Sequence, residues 1–428
     1  MSSAQHDPYL ALRYRDFRLL VAGRFIVTLG EQMLNVAIGW ELYVRTNSAL
    51  ALGFVGLAQI APIMLFSLPA GQVADRINRK RIVITSQTIM TIAASFLALL
   101  SALHGALPLV YATLALLGTA YAFNDPASSS LLPQTVPAEA FPNAATWSSS
   151  SWQFAAVLGP ALGGFIIALT GHATAVYVLD AIACAIYIVL LLLMRSKQME
   201  YAKEASSLRS LAAGVGFVWR TKIILATITL DLFAVLLGGA VTLLPIYAIS
   251  ILHVGAVGLG WLRAAPSIGA VIMALSQAHL PPFKKAGWTL LLAVAGFGVA
   301  TIVFGLSRSF LLSLLALVAL GALDNISVIV RSTLLLLRTP DEMRGRISAV
   351  NSIFVGASNE LGGFESGLAA ALFGPVIAVV GGGIGTILVV IAVALIWPEV
   401  RRLGRLDGKD AQLAGEISEA EAANVISR

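Results

Sequence analysis

Ionisable residues stand inside long apolar stretches of this 428-residue chain, and the candidates among them are Arg24, Glu31, Asp125, Asp180, Asp231, Arg263, Asp324, Glu360 and Glu365. An ionisable group in such surroundings is costly and marks a functional site by default. Arg24, Thr28, Glu31 and Asn35 follow one another at intervals of 4, 3 and 4. On a helix that spacing draws a single stripe. Glu31 falls near the middle of its apolar stretch. Desolvation disfavours the charged form of a carboxyl, and a nearby cation favours it. A carboxyl that is dry in one state and wet or paired in another therefore takes up and releases a proton, and this stripe is suited to that exchange.

Bond-making chemistry finds no comparable constellation. The one cysteine, Cys184, lies in an apolar run and cannot form a disulfide within the chain. His104, His172 and His253 fall in short connections, so no metal-ligand spacing emerges. There is no nucleophile–base pair, and GGGIG (381–385) is not preceded by a strand, as a phosphate-binding loop would be. Neither an enzyme nor a bound cofactor is expected.

The elements that must carry the charged residues are legible from composition. The chain is 58% hydrophobic and 12% charged, against about 45–50% apolar and about 25% charged in soluble domains. Twelve stretches reach the roughly 20 mainly apolar residues that a spanning helix needs. They are 19–44, 51–73, 82–103, 107–130, 143–169, 173–195, 222–250, 256–278, 286–307, 309–331, 346–371 and 373–397. These continuous runs exclude a β-barrel, whose strands alternate over about ten residues. The fold class expected is an all-α membrane protein. The polar first 18 residues precede a run of full spanning length, so no cleavable secretory signal is expected.

Of the 28 Lys and Arg, Arg45 and Arg308 alone fall on one side when the N-terminus is placed inside. Arg24 and Arg263 lie within apolar runs, Arg263 being the only cation read as deep in the second half. The rest, including Arg331 at the very end of the tenth span, counted with the loop to the eleventh, and Arg338 beyond it, gather on the other side. Basic loops mark the cytoplasmic face, so both termini are expected there. The net charge of +6 is thereby explained without a nucleic-acid partner.

The chain also resembles itself. A gapless offset of 203 residues aligns residues 118–147 with 321–350, pairing Leu131 and Leu132 with Leu334 and Leu335, and Pro137 with Pro340. The same offset pairs Gly159 with Gly362, and Thr28 with Asp231. Fixed-offset similarity signals repeats, and two parallel six-helix halves with a midplane site between them are a transporter plan. The organisation expected is a first bundle over 1–194, a cytoplasmic linker over 195–221, a second bundle over 222–399 and a cytoplasmic tail over 400–428. Val136–Glu139 and Thr339–Glu342 each read as the start of a helix.

GQVADRINRKR (71–81) carries five charges in eleven residues between two apolar runs. It resembles the loop motif of the major facilitator superfamily between helices 2 and 3, with Gly71, Asp75, Arg76, Arg79 and Lys80 in place. Asn78 replaces the usual glycine, and asparagine tolerates a left-handed backbone. GPALGG (159–164), with Gly159, Pro160, Gly163 and Gly164, is similar to a helix-5 signature common in exporters of that superfamily. Small residues four apart allow a neighbouring helix to approach closely. Residues 231–248 and 331–367 resemble the branch that holds enterobactin and drug exporters.

The resemblance implies twelve transmembrane helices, alternating access, and Asp75 as a conformational latch with Asp125 near it. It places the stripe of helix 1 and that of helix 7 (Thr227, Asp231, Gly238, Thr242) on a central cavity. Glu31 is the leading proton carrier, with Asp231 next. Arg24, Asn35, Arg263, Asp324 and Glu360 complete the expected cavity. Asp180 falls on a peripheral helix and is set aside. TWSSSSWQF (146–154) suits an aromatic, hydroxyl-rich ligand. The combined reading is a monomeric exporter of the bacterial cytoplasmic membrane, driven by protons and carrying a siderophore or amphipathic drug. Uptake of a small solute, and a receptor or lipid scramblase on the same scaffold, stand as alternatives.

Overall fold

The computed structural model describes residues 7–195, 215–281, 283–339 and 341–404. Among these there is no strand. Twelve long helices carry the described residues. The first six are α1 (Arg15–Thr46), α2 (Ala49–Arg76), α3 (Arg79–Ala102), α4 (Leu107–Ser129), α5 (Phe141–Thr170) and α6 (Thr174–Leu193). The next six are α7 (Lys222–Leu237), α8 (Gly255–His279), α9 (Ala286–Leu306), α10 (Phe310–Leu337), α11 (Asp341–Phe373) and α12 (Pro375–Ile396), with a short α13 (Pro398–Arg401) behind them. Eleven are long and apolar enough to cross a membrane, α7 being counted with the turns that follow it to Ile251. The remaining one, α11, is 33 residues long and carries Asn351, Asn359, Glu360 and Glu365.

Helix is what lipid demands, because every backbone N–H and C=O must be satisfied within the segment. Hydroxyls inside these helices obey the same demand. Thr88, Thr91, Ser95, Thr113 and Thr301 each donate to the carbonyl four residues back, so none carries an unmet donor into apolar surroundings.

Three local features differ from the sequence reading. The span expected over 222–250 is not one helix. Gly238 and Gly239 end α7, and a 3-10 turn (Ala240–Leu243), a helical turn containing Pro245 and a π turn (Tyr247–Ile251) complete the crossing. Asn78 does not adopt a left-handed conformation. Its φ is −55°, and its side chain accepts hydrogen bonds from the N–H groups of Lys80 and Arg81 at 3.0 and 3.4 Å. It is the N-cap of α3, a role for which asparagine is among the best residues. Arg331 is not in a loop: α10 runs to Leu337 and encloses it.

Residues 138–140 form a single 3-10 turn leading into α5. The matching start at Thr339–Glu342 lies outside the described residues at Pro340, as do most of the expected linker and tail. The described end of the linker, residues 215–220, is helical and buries Phe217 and Val218 against Ile224, Ile228, Ile347 and Val350.

The chain forms two compact units. The first holds Met1–Arg45, Ala58–Ser206 and Gly255–Ala264. Within it α3 packs against α4 and α6. Residues 7–13 fold over the start of α5, where Trp147 Nε1 and Asn143 Nδ2 both donate to the Pro8 carbonyl. The second holds Thr46–Leu57, Ser207–Val254 and Ala265–Arg428. Within it α9 packs against α10 and α12, and α11 against α7, around Leu230, Leu290, Val294, Val330 and Leu334.

Candidate functional site

In the first unit the charged stripe of α1 meets α6. Gly23 and Gly30 of α1 are seven residues apart, two turns along one side. The ring of Tyr187 lies where a Cβ on Gly23 would stand, and Oδ1 of Asp180 would be 2.6 Å from a Cβ on Gly30. Two bare backbone positions thus admit two large α6 side chains. Asp180, Cys184 and Tyr187 are spaced 4 and 3 apart, so one face of α6 carries all three.

Beside this seam is a cavity of about 370 Å³. Arg24, Thr28 and Glu31 line it from α1, Gln87 and Met90 from α3, and Tyr121, Asn124 and Asp125 from α4. Trp152 of α5 and Asp180, Cys184 and Tyr187 of α6 complete it. Tyr121 lies within hydrogen-bonding reach of Glu31, and the charge of Arg24 falls on Asp125. Gln87 Nε2 donates to Asn124 Oδ1 at 3.3 Å. The enclosure holds three carboxyl groups and one guanidinium.

One expectation gains a location here and another changes. Asp125, expected near the latch at the end of helix 4, stands on α4 and lines this cavity. Asp180, set aside as peripheral, is 3% exposed and shares the same cavity. The signal that marks Asp180 was present in the sequence, in the spacing of Asp180, Cys184 and Tyr187 against that of Gly23 and Gly30. Asn35, the fourth member of the α1 stripe, is half-buried and does not line the cavity.

A second cavity of about 290 Å³ shares Arg24, Thr28 and Trp152 with the first. Ser148, Ser149 and Ser151 face it, so the serine run of α5 borders a space and not only its own backbone. Trp152, 54% exposed, stands where the two cavities meet. Trp147 is turned to the N-terminal segment, stacking near Tyr9.

The α5 signature is a packing surface. A Cβ on Gly159 would lie 2.5 Å from Cβ of Gln32, and one on Gly163 would lie 3.0 Å from Cα of Met33, both on α1. Gly164 meets the carbonyl of Ala256 on α8, and the carbonyl of Pro160 would lie 2.6 Å from a Cβ on Gly260.

The second unit arranges its charges differently. Asp231 of α7 is ion-paired with Arg331 of α10, and the two are 7% and 4% exposed. Arg331, and not Arg263 alone, is therefore a deep cation of the second half. Thr227 turns its hydroxyl back to the carbonyl of Ile224. Gly238 is covered by Phe297, so the expected α7 stripe is closed by packing. Asp324 shares with Asp231 a pocket of only about 10 Å³. Glu360 of α11 lies against Gly56 of α2, its Oε2 3.0 Å from where a Cβ would be. Arg263 of α8 is half-buried.

In the 71–81 stretch, Gly71 and Arg76 lie in the last turns of α2. Arg79 reaches the carbonyl of Ser130 at 3.5 Å, and Lys80 Nζ donates to the carbonyl of Met194, at the end of α6, at 2.8 Å. The side chain of Asp75 lies outside the described residues.

Comparison with known proteins agrees with this architecture. Residues 6–418 match the family described as transmembrane secretion effector. The enterobactin exporter EntS of Citrobacter koseri is 26% identical over 387 residues, covering 90% of this chain and 92% of that protein. EntS of Escherichia coli O1:K1 is 25% identical over 395 residues, with the same coverage. Among solved structures, a POT family transporter in complex with 5-aminolevulinic acid superposes with a TM-score of 0.72 at 13% identity, over 90% of this chain and 97% of that one. A bacterial homologue of the human lysosomal transporter Spinster, inward-facing and occupied, gives 0.70 at 15% identity, over 93% and 98%. These two structures share the fold.

Proposed function

Because the chain belongs to the transmembrane secretion effector family, with the major facilitator fold, we propose that this multi-pass membrane transporter is a proton-coupled exporter of a small molecule. It is not an enzyme. The observation that carries the proposal is the cavity of the first unit, where Arg24, Glu31, Asp125 and Asp180 stand within one enclosure. A carboxyl that alternates between a dry and a wet surrounding exchanges protons, and Glu31 is partly exposed to this space. Glu31 is the leading carrier.

The relatives named enterobactin exporters support a substrate of that class. A catechol siderophore is the first candidate and an amphipathic drug the second, with Trp152 and the Ser148–Ser151 row as its aromatic and hydroxyl contacts. The protein resides in the bacterial cytoplasmic membrane with both termini inside, as the Lys and Arg distribution supports. It works as a monomer by alternating access, powered by the proton gradient and with no other cofactor. Asp75 acts as a conformational latch.

The test is uptake into everted membrane vesicles that contain the protein, the direction that corresponds to export from the cell. Accumulation of a catechol siderophore or a lipophilic compound should depend on an imposed proton gradient and vanish with an uncoupler. Accumulation that persists after the gradient is collapsed contradicts proton coupling.

A further inference from the structure

Three carboxyl groups and one guanidinium in a single enclosure cannot all be charged without a large cost, because charges removed from water must be paired. Arg24 acts on Asp125. That leaves Glu31 and Asp180. Glu31 has Tyr121 beside it. Asp180 makes no hydrogen bond or ion pair among the described residues, although it is 3% exposed and lines the cavity. A carboxyl with no protein partner that opens on an enclosed cavity is met there by a proton, a positively charged occupant or water, and two such acids in one enclosure favour the proton. No group of three His, Cys, Asp or Glu among the described residues is arranged to hold a metal ion.

The geometry points to Glu31 and Asp180 as a carboxyl pair that together hold the exchanged protons, Asp180 being the second carrier. This rests on the proton-exchange reading above and deepens it. The second carrier expected from sequence was Asp231, but that carboxylate is ion-paired with Arg331. The groups facing Asp180 are Glu31 and Arg24 of α1, Tyr121 and Asp125 of α4, and Cys184 and Tyr187 of its own helix. None is a cation except Arg24. Gly30 is what lets Asp180 approach α1, since a Cβ there would be 2.6 Å from Oδ1. In each cycle a proton arrives from the outer water on one of the two oxygen pairs and leaves to the cytoplasmic water. No bond other than O–H is made or broken.

Two interacting acids titrate as a unit, in steps that belong to the pair. The test is a pH titration of the purified full-length protein in lipid nanodiscs, following the infrared C=O band of protonated carboxyl groups. The variants are Glu31→Gln, Asp180→Asn and Asp125→Asn, each first checked for wild-type helicity and a monodisperse elution. Glu31→Gln and Asp180→Asn should each remove one of two coupled steps and leave the other as a simple single step. Asp125→Asn should leave two steps.

If Asp180→Asn titrates as the wild type does, Asp180 holds no exchangeable proton and the pair is overturned. The same holds if Asp180→Asn abolishes binding of tetraphenylphosphonium while the titration is unchanged, because the site is then a cation site. The readout needs no transport substrate, so the pair can stand while export fails. Conversely, gradient-driven export with an unchanged proton-to-substrate ratio in Asp180→Asn removes the pair and leaves the exporter.

Discussion

Asp231 of α7 and Arg331 of α10 bury their charges against each other in the second unit. The pair occupies the acid that the repeat pattern nominated for the cavity. It also explains how a helix of 28 residues keeps an arginine inside apolar packing, where an unpaired guanidinium is costly.

Breaking the pair by removing one partner leaves an uncompensated buried charge, which costs about 3–5 kcal/mol. Arg331→Met and Asp231→Asn should each lower the unfolding free energy in detergent by that order. The double variant should lose much less than the sum of the two. Chemical denaturation of the three proteins is the check, and additive losses would show that the two groups do not act as a pair.

The cap at Asn78 predicts an inversion of the usual expectation for this loop. Restoring the glycine found in related loops would relieve strain if the residue were left-handed, and φ is −55°. Loss of an N-cap to alanine costs about 0.5–2 kcal/mol, and to glycine only a few tenths. Asn78→Ala should therefore melt below the wild type, with Asn78→Gly close to the wild type and not above it.

Gly163 of α5 lies against the backbone of Met33, which cannot move aside as a flexible side-chain tip can. Gly163→Val should destabilise by about 1–3 kcal/mol, as overpacking does. Gly216, around which a Cβ meets nothing within 4 Å, provides the matched control. Gly216→Ala should not lower the melting temperature, and the comparison is read in a thermal scan of the purified proteins.

The all-helical architecture and its spans were legible because each is a property of many residues at once. Periodicity and composition survive local irregularity. What escaped depends on single contacts. Asp180 was read by the position of its helix in a bundle and not by its partners across the helix seam. Gly23 and Gly30 matched to Tyr187 and Asp180 would have pointed to it. Arg331 was read as a loop residue because the apolar run fades before it, although α10 continues six residues further to Leu337. The break in the seventh span is marked by Gly238, Gly239 and Pro245, residues that a count of apolar positions passes over. The Glu31 stripe was legible as spacing, while its enclosure with Asp125 needed the fold.

The most direct test of proton-driven export is proton movement into liposomes that contain the purified protein and a pH-sensitive dye. A catechol siderophore and a panel of lipophilic drugs are added in turn, to wild type and to Glu31→Gln. We expect at least one compound to move protons through the wild type and none to do so through Glu31→Gln. Transport of a compound with no proton movement in either protein would contradict the account and leave Glu31 a structural group.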